Sequence, residues 1–252
     1  VRQAIAFPSA RARIRAWPLD ASIGHLVMLD VAMIPTVDQV DRWLAEAYDA
    51  RPDENSAPRR AVRTGALSPR AAEPFLRVGF EVVDRLALLE RTLTTTEPSP
   101  PRTNDETATI KIRRVRRREM PSLAEIDQAA FAAGWRNDAR SLGEIANATP
   151  SSTRRLALDS RDGTRRPVGF QISGHAGPTG YIQRLAVHPD AWGMGVGGRL
   201  VHDALSWLTR RGVDRALVNT GVDNARALRL YDAAGFEVLD EELVVLEHRR
   251  PA

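Results

Sequence analysis

The segment VHPDAWGMGVGG, Val187 to Gly198, places Gly193, Gly195, Gly197 and Gly198 directly before an apolar-periodic run that ends near Arg211. Glycine admits positive φ and carries no side chain. Backbone N–H groups of such a turn, with the positive end of the following helix, can therefore face an anion such as a diphosphate. Met194 and Val196 belong to the same turn. Taken alone the turn is a weak signal, because dinucleotide-binding folds and plain tight turns share it. A Rossmann unit is disfavoured by order: the turn follows at least three strands, and about 20 residues on stand Gly212, Val213 and Asp214 rather than an acid ending a parallel strand. A second group follows at Asn224, Ala227, Tyr231 and the pair Gly235 and Phe236. Asn224 suits a helix N-cap. Taken by itself Tyr231 reads as an aromatic on a buried helix face beside Leu228 and Leu230.

These residues need elements to hold them. Periodicity predicts a strand over Thr109 to Val115, a helix over Pro121 to Ala133 and a short helix over Ser141 to Ala148. Strands follow at Arg155 to Leu158, Val168 to Ser173 and Gly180 to Val187. The glycine turn opens a helix to about Arg211, then come a strand over Arg215 to Thr220, a helix over Ala225 to Ala234 and final strands within Glu237 to His248. The expected class is α/β, a mixed sheet flanked by helices.

Together the two segments resemble the GNAT acyltransferase family, whose acyl-CoA motif reads Q/R-x-x-G-x-G/A after a V-x-P strand end, followed by N-x-x-A-x-x-x-Y-x-x-x-G-F. Val187, Pro189, Gly195 and Gly197 supply the first half; Asn224, Ala227, Tyr231, Gly235 and Phe236 supply the second. Trp192 departs from the pattern, standing where the family has Gln or Arg, which removes a polar side chain near the diphosphate and leaves the backbone donors in place. The resemblance implies acetyl-CoA as acyl donor and a primary amine of a peptide, protein or small molecule as acceptor. It implies that Leu185, Ala186 and Val187 pair with the pantetheine arm like an added strand, that Gly193 to Gly198 hold the diphosphate and that Asn224 meets the pantetheine. Tyr231 is then the group that protonates the departing thiolate. Gln183, Arg184, Phe131 and Trp135 are the expected substrate contacts, with Arg136 beside them. No general base declares itself among His175, His188 and His202. A second reading keeps the CoA site and loses turnover, as a sensor or scaffold.

An internal echo precedes this region. Gly24 and Gly180, Val31 and Val187, Thr64 and Thr220, Gly65 and Gly221, Gly79 and Gly235, and Phe80 and Phe236 are all separated by 156 positions (180 − 24). Residues 1–93 are therefore expected to be a truncated, degenerate sister of the domain at 109–252, joined by a Thr/Pro-rich linker over 94–108. Phe75 takes the place of Tyr231, Pro69 follows Ser68 near the place of Asn224, and AMIPTVDQV replaces the glycine turn, so this copy is expected to bind no CoA. A half-domain with an exposed sheet edge is expected to pack against the second domain or to pair with another chain as a homo-oligomer.

The 252 residues carry no cysteine, which excludes disulfides, thiolate metal sites and a cysteine nucleophile, and fits a cytoplasmic setting; no metal is expected. No apolar run approaches the roughly 20 residues that span a bilayer, so neither a membrane anchor nor a secretory leader is expected. The net charge of +4 invites a nucleic-acid reading. Arginines are spread along the whole chain, however, and Lys111 is the only lysine, so a solvated basic surface is expected instead.

Overall fold

The computed structural model describes residues 10–29, 33–50, 58–94 and 109–250. The linker expected over 94–108 lies almost wholly outside these, as does Val31. The chain divides into two compact units, Val1–Ala87 with Asp240–Ala252, and Leu88–Leu239. These do not coincide with the spans 1–93 and 109–252, because two long strands, Glu81–Thr92 and Glu237–Arg249, each contribute to both units.

In the first unit, β1 (Ala12–Trp17) and β2 (Asp20–Met28) form an antiparallel hairpin; β2 runs parallel to β3 (Ala61–Thr64). Helix α1 (Val37–Asp49) begins with a reciprocal cap, in which the Thr36 hydroxyl accepts from the Gln39 amide and the Gln39 side chain accepts from the Thr36 amide. Helix α2 (Pro69–Arg77) starts at Ser68, with Pro69 in the first turn, where its missing N–H costs nothing. Both helices bury their apolar faces in a core of Leu26, Val40, Leu44, Val62, Phe75, Phe80 and Leu246.

In the second unit, β5 (Ile110–Arg114), β6 (Ser151–Asp159), β7 (Arg166–Ala176) and β8 (Thr179–Val187) form successive antiparallel pairs, and β8 is parallel to β9 (Arg215–Gly221). The strands alternate as a two-faced sheet requires, except at a register slip between β6 and β7 that leaves Val168 between the pairs Ala157–Gly169 and Leu158–Pro167. Leu156, Leu158, Phe170, Ile172 and Ala186 face helices α3 (Met120–Ala130) and α4 (Ala139–Ala146). Ala157, Val168, Leu185 and Val187 face α5 (Val196–Thr209). The mixed sheet flanked by helices is thus as the sequence predicts. The helix expected to reach Ala133 stops at Ala130, because Phe131 turns extended (φ −115, ψ 152) and 133–135 form a separate 3-10 turn. The final strands are one strand, β10 (Glu237–Arg249), with β4 (Glu81–Thr92) its counterpart in the first part of the chain.

A shift of 156 (225 − 69) lays α2 on the last helix, α6 (Ala225–Ala233), residue for residue. It also lays Ser68 on Asn224, both helix N-caps, and Gly79 (φ 94) on Gly235 (φ 76). Phe75 meets Phe80 edge-on at 5.3 Å, as Tyr231 meets Phe236 at 5.6 Å.

Candidate active site

The site is organised by how β8 parts from its neighbour. On one side β8 pairs with β7 along its length, with a slip at which Ile172 faces Arg184 and Ser173 faces Ile182, leaving Gln183 as a bulge. On the other side the parallel ladder with β9 covers only Thr179 to Tyr181. The β9-facing edge of β8 beyond Tyr181 is outside that ladder, and a cavity of about 630 Å³ is lined there by Leu185, Ala186 and Val187.

Past Val187, a 3-10 turn at Pro189–Ala191 leads into the glycine segment. Gly193 (φ 80) and Gly195 (φ 70) take left-handed backbone that other residues rarely adopt, and Gly195 is the N-cap of α5 without a side-chain acceptor. The first amides of α5 are therefore left for a ligand or solvent. Gly193, Gly195, Val196, Gly197 and Gly198 all line the cavity. A Cβ on Gly198 would meet nothing within 4 Å, so protein packing does not demand glycine there; its lack of a side chain leaves room to the cavity. Met194 is different: its side chain is buried in the core with Ala191 and Leu200, and its sulfur accepts from Arg161, so only its backbone is left to serve a ligand.

Asn224 also lines the cavity, but its side chain is engaged: Oδ1 accepts from the Ala227 amide at 3.1 Å and Nδ2 donates to Thr220 Oγ1 at 3.0 Å. Tyr231 is buried, 5% exposed, and does not line the cavity wall. Burial pushes its phenol pKa up, an effect the nearby Arg184 charge partly offsets, so the phenol holds its proton at neutral pH.

Two of the expected substrate residues, Gln183 and Arg184, hydrogen-bond within the protein. Arg184 donates from Nε and Nη2 to the fully buried Asp127 carboxylate at 2.7 and 3.0 Å, and from Nη2 to the Trp135 carbonyl at 2.8 Å. Its guanidinium lies 3.4 Å from the Phe131 ring centroid. Asp127 also accepts from the Asn137 amide at 2.7 Å. One ion pair thus ties β8, α3 and the 131–137 turn together, and of these side chains Phe131 reaches the cavity wall. Gln183 Nε2 donates to the Ile145 carbonyl at 2.9 Å, while its Oε1 is buried without a partner. The histidines stand apart from the cavity: His175 packs on Trp207, His188 Nδ1 accepts from the Asp190 amide and His202 lies 3.5 Å from Ser206 Oγ.

Two features were not read from the sequence, the role of Asp127 and the contacts of Trp192 with Val187 and Arg226. Asp127 has no motif around it, and nothing local distinguishes it from a solvated helix acid. Trp192, 44% exposed, donates from Nε1 to the Val187 carbonyl at 2.9 Å and carries the Arg226 guanidinium 3.5 Å from its ring centroid; both line the cavity. Among the described residues, no group of three or more His, Asp or Glu could hold a metal ion, and no helix is long and apolar enough to cross a membrane.

A known family matches the same region. The profile of the acetyltransferase (GNAT) family matches residues 120–236. A mycothiol acetyltransferase of Stackebrandtia nassauensis is 32% identical over 128 residues, 47% of this chain and 41% of that protein. The N-alpha-acetyltransferase 30 of Saccharomyces cerevisiae is 33% identical over 87 residues, 32% of this chain and 49% of that protein. The chain thus spans less than half the length of these curated relatives. A tandem GNAT protein from the clavulanic acid biosynthesis pathway shares the fold over 99% of this chain and 82% of its own, with a TM-score of 0.65 at 13% identity. The family match spans 117 of the 252 residues (236 − 120 + 1), the stretch that carries β8, the glycine turn and the segment from Asn224 to Phe236.

Proposed function

We propose that the second unit moves an acetyl group from acetyl-CoA to a primary amine of a peptide, protein or small molecule by direct attack. The observation that carries this reading is the single cavity joining the unladdered end of β8 to the glycine turn. An extended pantetheine arm can pair with the backbone of Leu185 to Val187, and the diphosphate can meet the amides of Gly193 to Gly198 at the start of α5. The donor supplies an acetyl thioester: the neutral amine forms the C–N bond, the C–S bond breaks, the thiolate takes a proton and the amine nitrogen gives one up to water. Tyr231 is the proton donor of this reading, and its raised pKa keeps the proton in place until a stronger base forms beside it. The cysteine-free composition goes with a cytoplasmic setting.

The reading extends to residues 1–93 as a degenerate, tandem copy that binds no CoA. It is supported by the residue-for-residue overlay of α2 on α6 and by the aromatic pair repeated at the same offset. Leu67, Val40 and Phe75 belong to a closed apolar core, whereas Asp223 and Val196, the partners of Leu67 and Val40, line the cavity of the second unit. The likeness of the whole chain to a tandem GNAT protein goes with this reading.

The alternative, CoA binding without turnover, draws on Tyr231 lying off the cavity wall. Thiol release from acetyl-CoA over a panel of amines and peptides separates the two, with calorimetry of CoA binding in parallel. Amine-dependent release that falls in Tyr231→Phe while CoA still binds supports transfer. Binding with no release for any acceptor supports the sensor, and no binding removes both.

A further inference from the structure

At the place of the motif's Gln or Arg stands an indole, and the structure couples it to a cation from another element. Trp192 is fixed at its N–H by the Val187 carbonyl, so its ring is held at the cavity wall rather than free to swing. The Arg226 Cζ stands over that ring, 3.5 Å from its centroid. Arg226 belongs to the first turn of α6, two positions after the N-cap Asn224. A cation there opposes the positive end of the helix dipole, so helix stability does not explain it. Among the described residues no carboxylate pairs with Arg226, although the chain pairs many of its other arginines. Stacking uses the face of a guanidinium and leaves its edge N–H donors free, in the fork that matches two oxygens of a phosphate. Because the indole holds the fork in place, less freedom is lost on binding.

We propose that Arg226, held on the face of Trp192, binds a phosphate group of the acyl donor at the cavity wall. It supplies from α6 the charge that the side chain at 192 does not. Trp192 is the platform that positions it. The proposal rests on the acetyl-CoA reading above and adds to it a residue outside the glycine turn.

Calorimetry on the full chain tests it with three ligands: acetyl-CoA, 3′-dephospho-CoA and S-acetylpantetheine, which carries no phosphate. Arg226 is exposed, so Arg226→Met should fold as the wild type does. The variant is expected to weaken acetyl-CoA by about tenfold or more, the order of one charge-assisted bidentate contact, and to shift S-acetylpantetheine by less than about twofold. Loss that persists with 3′-dephospho-CoA assigns the contact to the diphosphate; loss that vanishes assigns it to the 3′-phosphate. Trp192→Leu, which removes the platform, should reproduce part of the loss with the same selectivity. Equal weakening of all three ligands, or none for acetyl-CoA, overturns the proposal and leaves the acetyl-CoA reading standing. A wild type that binds no acetyl-CoA overturns the reading and the proposal with it.

Discussion

Arg184 and Asp127 form a two-point ion pair, Nε to Oδ2 at 2.7 Å and Nη2 to Oδ1 at 3.0 Å, with the carboxylate wholly buried and the guanidinium side chain 17% exposed. The pair sits next to the β8 bulge. A bulge turns successive residues of a strand toward the same face. Both Gln183 and Arg184 therefore reach the α3 and α4 side, one to the Ile145 carbonyl and the other to Asp127. Arg184, an expected substrate contact, thus ties β8 to α3 and to the turn at 131–137.

Asp127→Ala leaves a mostly buried guanidinium without its anion and is expected to destabilise the chain by about 3 kcal/mol, the lower end of the cost of breaking a buried pair, since Arg184 keeps some contact with water. The double variant Asp127→Leu with Arg184→Met should cost less than the sum of its single changes. Urea unfolding of the wild type, Asp127→Ala, the two single changes and the double variant checks both points; additive losses would mean that the two side chains act independently.

What could be read in advance was what the backbone needs locally. The N-cap at Asn224 and the end of its helix were legible because a cap residue, an apolar period and a following glycine lie within a dozen positions. The glycine turn was legible because positive φ at Gly193 and Gly195 limits the residue type. Asp127 was not, because its partner lies 57 positions away and only the β7–β8 register slip brings them together. The direction of the Met194 side chain was not legible for a related reason: its place in the turn is local, but its partners are Arg161 and the core on β6 and β7. The division of β4 and β10 between two units has no local signature either. Each strand simply runs on past the length that one unit needs.

Gly198→Ala separates stability from binding. The position lies in the first turn of α5, an added Cβ meets no protein atom within 4 Å, and replacing glycine by alanine in a helix stabilises by roughly 0.5–1 kcal/mol. The same methyl stands in the cavity where the diphosphate is proposed to lie. A higher unfolding midpoint with acetyl-CoA affinity about tenfold weaker is expected. Unchanged affinity would place the diphosphate elsewhere.

Gly180→Ala acts through packing alone. Its Cβ would stand 2.6 Å from Leu208 Cδ2 and 2.8 Å from Cδ1, against a fully buried side chain. Overpacking of this kind costs about 1–3 kcal/mol. The position lies in the short β8–β9 ladder that ends where the cavity begins, so the variant should melt earlier. Adding Leu208→Ala should relieve the clash while introducing a cavity cost of its own. A melting temperature equal to that of the wild type would show that Leu208 moves aside freely.

The first unit carries a titrating group whose effect has a definite sign. Burial, with the charges of Arg15 and Arg63, lowers the His25 pKa from 6.5 to about 3, and Arg15 Nε donates to His25 Nδ1 at 3.2 Å, which requires a neutral ring. Below pH 6.5 the unfolded chain takes up a proton that the folded chain refuses until about pH 3. Stability contributed by the neutral ring is therefore full above pH 6.5 and declines through that window, with a slope that approaches about 1.4 kcal/mol per pH unit. His25→Gln keeps an acceptor for Arg15 and does not titrate. Urea midpoints taken at neutral pH and at successive steps toward pH 5 should fall more steeply for the wild type than for the variant. Parallel slopes would mean that His25 is protonated in the folded chain and that Arg15 has turned away from it.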